Sequence, residues 1–91
     1  MSRKVVAVTI RGRVQGVGYR AWLKEQADAH GIDGWVHNLN DGAVEALLAG
    51  PEPAVATLID LCHAGPRGAR VGTVDVMVAG WDGPAGFRIL S

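Results

Sequence analysis

Ninety-one residues carry nine Lys plus Arg against nine Asp plus Glu, a formal net charge of zero that argues against binding nucleic acid by general attraction to phosphates. At 48% hydrophobic and 20% charged, the composition is that of an ordinary globular chain. The length suits one domain, expected to span residues 1–91 around a single two-layer core.

Met1-Ser2-Arg3-Lys4 leads directly into an alternating segment with no apolar h-region, so no secretory signal is visible and the cytoplasm is the expected compartment. No apolar run is long enough to span a bilayer. Val5–Arg11 is rich in β-branched residues, with Val6, Val8 and Ile10 on one face, as in a half-buried strand. Gly12, Gly16 and Gly18 break that pattern into a loop. A helix is expected from about Tyr19 to His30, since Tyr19, Leu23, Ala27 and His30 recur at helical spacing and Gly31 supplies a stop. Gly34–His37 reads as a second strand ending at Asn38, and Asn40-Asp41-Gly42 as the turn of a hairpin. Ala43–Ala49 returns. Gly50-Pro51-Glu52-Pro53 then introduces a second helix, in which Val55, Leu58, Ile59 and Cys62 form one apolar stripe and Gly65-Pro66 ends it. Cys62 is the lone cysteine, which rules out an intrachain disulfide and a multi-thiolate zinc site, and it reads as a small hydrophobe on that stripe. Arg67–Arg70 is a polar connection, and Val71–Val78 alternates with Val74, Val76 and Val78 on one face. After a loop over Gly80–Gly86, Phe87–Leu90 reads as a short last strand. The order is β-α-β-β-α-β with an extra edge strand. That is the ferredoxin-like α+β arrangement: a four-stranded antiparallel sheet with two helices on one face. This architecture hosts many functions, so the site has to carry the functional reading.

Between the first strand and the first helix lies Gly12-Arg13-Val14-Gln15-Gly16-Val17-Gly18-Tyr19-Arg20. Glycines let successive backbone N–H groups converge into a nest for an anion, and the following helix adds free donors and the positive end of its dipole. Arg20 falls in the first helical turn, where a cation opposes the dipole, and Leu23 and Lys24 offer it no helical ion pair. Its guanidinium suits two phosphoryl oxygens. A solvated arginine, or one paired far along the chain, fits the placement equally well. The loop matches neither the P-loop nor the dinucleotide fingerprint.

Asn38 stands where the second strand enters the turn, a place asparagine favours for local backbone bonding. Its carboxamide also offers a donor and an acceptor that orient a water without titrating. Alternation sends His37 to the opposite face, so it is expected at the surface. His30 and His63, in the last turns of the helices, suit the dipole there.

Two stretches resemble the acylphosphatase family. Ile10–Arg20 is similar to its first signature, with core G-x-V-Q-G-V-x-aromatic-R. Gly34-Trp35-Val36-His37-Asn38-Leu39-Asn40-Asp41-Gly42-Ala43-Val44, continuing to Gly50, is similar to its second. The Gly65–Val71 connection and Gly86-Phe87 also look like the family, so the resemblance covers nearly the whole chain. Tyr19 stands where phenylalanine is usual, and His37 where a basic or uncharged residue is more typical. The resemblance implies hydrolysis of acyl phosphates such as carbamoyl, aspartyl or benzoyl phosphate, with neither metal nor organic cofactor. It implies that Arg20 binds the phosphoryl group, that the backbone of Gln15, Gly16, Val17, Gly18 and Tyr19 cradles it, and that Asn38 positions the attacking water. The expected partner is this small molecule alone, with no nucleic acid or membrane, and a monomer is expected from the small size.

Three other readings remain on the same topology. A sensor would bind phosphate or carboxylate without turnover. An RNA-binding domain would need aromatic residues on the central strands, which Val5–Arg11 and Ala43–Ala49 lack. A metal carrier would need a second cysteine. The family's domain also resembles the N-terminus of long hydrogenase-maturation carbamoyltransferases, and a chain ending at Ser91 leads to the expectation of an independent enzyme. Trp22, Trp35 and Trp81 are expected in packing or rim positions.

Overall fold

A computed structural model describes residues 2–90. The first β-branched run becomes β1, Arg3–Arg13, whose Val6, Val8 and Ile10 are buried while the residues between them are more exposed. Helix α1, Tyr19–Ala29, buries Tyr19, Leu23 and Ala27, and His30 lies exposed at its C-cap. It ends there because the N–H groups of Gly31 and Ile32 turn back to the carbonyls of Asp28 and Ala27, at 3.4 and 2.9 Å. Strands β2, Asp33–Asn38, and β3, Val44–Pro51, form the hairpin. Helix α2, Glu52–Ala64, follows without a linker and buries Val55, Leu58 and Cys62, with Ile59 only partly covered. Strands β4, Arg70–Val78, and β5, Phe87–Ile89, complete the chain.

The sheet runs β4-β1-β3-β2-β5, which is the ferredoxin-like order with one strand added beyond β2. The first four strands pair antiparallel, whereas β5 pairs parallel to β2, so the finished sheet is mixed. Helix α1 packs on β2 and β5, and α2 on β1, β3 and β4. The helices join where the Tyr19 hydroxyl donates to the Cys62 carbonyl at 2.7 Å. Burial pushes the Cys62 thiol up to about 11, so it stays a neutral core group.

Strand β4 departs from the pattern that alternation suggests. Val74 packs against the core, but Val76 and Val78 are 43% and 88% exposed, and Met77 on the other face is 71% exposed. Period-two patterning marks a face, whereas burial depends on what covers it. As an edge strand β4 lacks a neighbour on one side, and it is Val71 and Val74, in its first half, that pack against the core.

Candidate active site

The loop from β1 to α1 starts at Val14, which is buried and anchors it to the core. Gly16 and Gly18 adopt φ of 75° and 80°, left-handed values that side chains with a Cβ rarely take, and nothing lies within 4 Å of where a Cβ would project. Both positions therefore turn the backbone while leaving open space beside it. Val17 instead packs against the core. Gly18 is the N-cap of α1 and supplies no side-chain cap, and the first turn holds no acidic residue. The first intrahelical bond runs from Trp22 N–H to the Gly18 carbonyl at 3.0 Å. The N–H groups of Tyr19, Arg20 and Ala21 thus have no partner within the helix.

This helix end opens onto a cavity of about 230 Å³. Arg20 lines it, half-buried, and makes no ion pair among the described residues. Asn38 lines it from the end of β2. Gly34, Val36 and Asn38 share the helix-side face of that strand, while Trp35 and His37 take the opposite face, as alternation requires. The Asn38 Oδ1 is buried and has no hydrogen-bond partner. His37 bonds across the strands to Glu45, Nε2 to Oε1 at 2.7 Å, edge-on to Trp35, and neither residue reaches the cavity.

Of the loop residues named from sequence, Gln15, Gly16, Gly18, Tyr19 and Arg20 line the cavity and Val17 does not. Tyr19 contributes its backbone, since its ring is core and burial raises its phenol well above the ordinary value. The Gln15 side chain is engaged elsewhere. Its Nε2 donates to the carbonyls of Leu39 and Ala43, both at 2.8 Å, across the neck of the β2–β3 turn. That turn is closed by Leu39 N–H to the Ala43 carbonyl at 2.8 Å and by Ala43 N–H to the Asp41 Oδ1 at 3.0 Å. At its tip the Arg11 guanidinium meets the Asp41 carboxylate at 2.8 Å, a bond that holds Asp41 below the usual carboxylate range. Ile89 of β5 also lines the cavity. Sequence reading missed it, because nothing local to Phe87–Leu90 reveals that this strand adds beside β2. Trp22 packs edge-on to Tyr19, and Trp81 is half-buried in the connection to β5, so no tryptophan lines the cavity. Among the described residues, no group of three or more His, Cys, Asp and Glu side chains is placed to hold a metal, and no helix is long and apolar enough to cross a membrane.

The fold is a ferredoxin-like α+β one, with an uncapped helix end, a glycine loop and an arginine at one cavity. The acylphosphatase family model matches residues 6–89. An acylphosphatase from Bradyrhizobium diazoefficiens is 55% identical over 82 residues, which is 90% of this chain and 83% of that one. The crystal structure of acylphosphatase from Bacillus subtilis superposes with a TM-score of 0.93 at 32% identity, covering 99% of this chain and all of that one. A segment of full-length HypF, 12% of that chain, has the same fold at a TM-score of 0.86 and 19% identity, a likeness of fold alone. The chain belongs to the acylphosphatase family.

Proposed function

We propose that the cavity at the start of α1 is where this chain hydrolyses acyl phosphates, with Arg20 and the backbone of Gln15, Gly16, Gly18 and Tyr19 on the phosphoryl group and Asn38 on the water. Membership of the acylphosphatase family gives the reaction: water cleaves the carboxyl–phosphate bond to a carboxylate and inorganic phosphate. The water oxygen bonds to phosphorus as the bond from phosphorus to the bridging oxygen breaks, and the electron pair leaves on the carboxylate. A carboxylate leaves readily, so the demand falls on neutralising the phosphoryl oxygens and holding the water in line. The free N–H groups of α1 and the Arg20 guanidinium answer the first demand.

One observation carries the second. Buried acceptors are rarely without a donor, yet the Asn38 Oδ1 is buried and unpartnered, and Asn38 is among the residues that line the cavity. A water donating one hydrogen to that oxygen has its lone pair free for phosphorus. Among the described residues that line the cavity, Arg20 and Tyr19 are the ionisable ones, and the Tyr19 phenol is buried in the core and stays protonated. With no general base among them, the water's proton passes to a phosphoryl oxygen of the substrate.

The substrate is a small molecule, and we read the protein as a monomer acting in the cytoplasm without metal, cofactor, nucleic acid or membrane. The balanced charge supports the exclusion of nucleic acid. The test is phosphate release from benzoyl phosphate in EDTA. Turnover that survives the chelator and disappears in Arg20→Gln is expected. Saturable binding without turnover would favour a sensor, and normal turnover by folded Arg20→Gln would remove Arg20 from the site.

A further inference from the structure

We propose that the Gln15 side chain is a positioning residue for Asn38, an inference that rests on the reading of Asn38 above. Gln15 borders the cavity, but its carboxamide has left it. Both hydrogens of a primary amide are available on Nε2, and they satisfy two carbonyls on opposite sides of the hairpin neck, Leu39 and Ala43, each at 2.8 Å. Leu39 is the residue directly after Asn38. The Asn38 side-chain oxygen has no protein partner of its own, so its direction follows from the backbone that carries it.

Inside the hairpin that backbone is held by the turn itself, where the Leu39 N–H donates to the Ala43 carbonyl at 2.8 Å and the Gly42 N–H to the Leu39 carbonyl at 3.3 Å. Asn38 pairs with Val44 at the last rung of the β2–β3 ladder. On its other side the ladder with β5 stops at Val36, paired with Ile89, and the Leu90 N–H closes onto the Val36 carbonyl at 2.9 Å. Beyond that rung, the bond from Gln15 holds the strand end from outside the hairpin. The Arg11–Asp41 pair adds a weaker hold at the tip, where both side chains are about half exposed and such pairs contribute little. Because Gln15 also belongs to the loop that faces the phosphoryl group, one residue links the position of the cradle to the position of the water.

The test separates this role from a merely structural one by splitting binding from turnover. Gln15→Met keeps the length of the side chain and removes both donors. We expect its kcat on benzoyl phosphate to fall about ten- to a hundredfold, as small misplacements of a reacting group do. The inhibition constant of inorganic phosphate should stay within about twofold, since the cradle is backbone. In an Asn38→Ala background the same change should cost nothing further, because the group it positions is gone. Additive losses in that background, or a phosphate constant that rises in step with the fall in kcat, would overturn the proposal. Asp41→Ala loosens the same turn from its tip and is expected to give a smaller fall in kcat. Gln15→Leu also removes both donors and serves if Gln15→Met fails to give a cooperative urea transition; unchanged kcat in a cooperatively folding Gln15→Leu would then overturn the proposal. If Asn38→Ala alone turns over normally, the reading of Asn38 fails, an outcome visible apart from anything Gln15 does.

Discussion

The N-termini of the two helices form on the same sheet and neither has a side-chain cap, yet they treat their free N–H groups in opposite ways. Helix α2 begins at Glu52, whose N–H bonds the Ser2 carbonyl at 3.0 Å, and continues with Pro53, which has no N–H to satisfy. Glu52 also places a negative charge where the dipole favours one. Helix α1 has no acid in its first turn, begins after a left-handed glycine, and carries Arg20 where a cation is unfavourable. One end is partly satisfied by its own chain. The other is not, and its local cost supports the proposed reading of it as the site.

The sharpest way to break this contrast is at the chemistry itself. Arg20→Gln should reduce kcat/KM on benzoyl phosphate by about a thousandfold or more, the scale of losing a charge-stabilising donor. It should at the same time slightly stabilise the fold, because a misplaced cation has gone. Next, Asn38→Ala should lower kcat about a hundredfold or more while inhibition by inorganic phosphate is retained. Loss of phosphate binding in that variant would move Asn38 from the water to the cradle.

Making α1 resemble α2 is the subtler test. Ala21→Glu puts a carboxylate in the first turn, beside the cavity. It should weaken inhibition by inorganic phosphate at least about tenfold through like-charge repulsion, and raise stability by about 0.3–1 kcal/mol. If phosphate inhibition were unchanged, the anion would have to bind elsewhere.

The contact between the two helices sets a pH limit. Burial raises Cys62 from its ordinary 9.0 to about 11, and Tyr19 shifts in the same direction. Both are neutral acids in the fold, so their contribution is complete below the unfolded values and is lost as pH rises through the folded ones. Stability should therefore fall above about pH 9, with the thiol accounting for up to about 2–3 kcal/mol by pH 11. Urea midpoints against pH should decline less steeply in Cys62→Ala. The smallest effect belongs to α2: Glu52→Gln should cost about 0.3–1 kcal/mol and leave turnover of benzoyl phosphate unchanged.

Local chemistry accounts for what was legible in the residues. Period-two and 3.6-residue patterns depend on neighbours in the chain, so Val6, Val8 and Ile10 on β1 and Tyr19, Leu23 and Ala27 on α1 declared their buried faces. The same alternation separated Asn38 from His37. The glycine loop and Arg20 were visible as a local conflict with helix electrostatics, although that conflict alone did not separate a ligand site from a solvated arginine.

What the sequence determined by itself, then, was the order of elements, their inward faces and the stretch that breaks helix rules. Tertiary structure alone decided which strand became an edge, leaving Val76 and Val78 uncovered, and that β5 adds parallel to β2 and brings Ile89 to the cavity wall. It also decided that the Gln15 side chain turns from the glycine loop to a hairpin 24 and 28 residues away. The physical reason is range: periodicity and caps are set by neighbours within a turn or two, whereas cover, pairing and the partner of a long side chain depend on segments that only the folded sheet brings together.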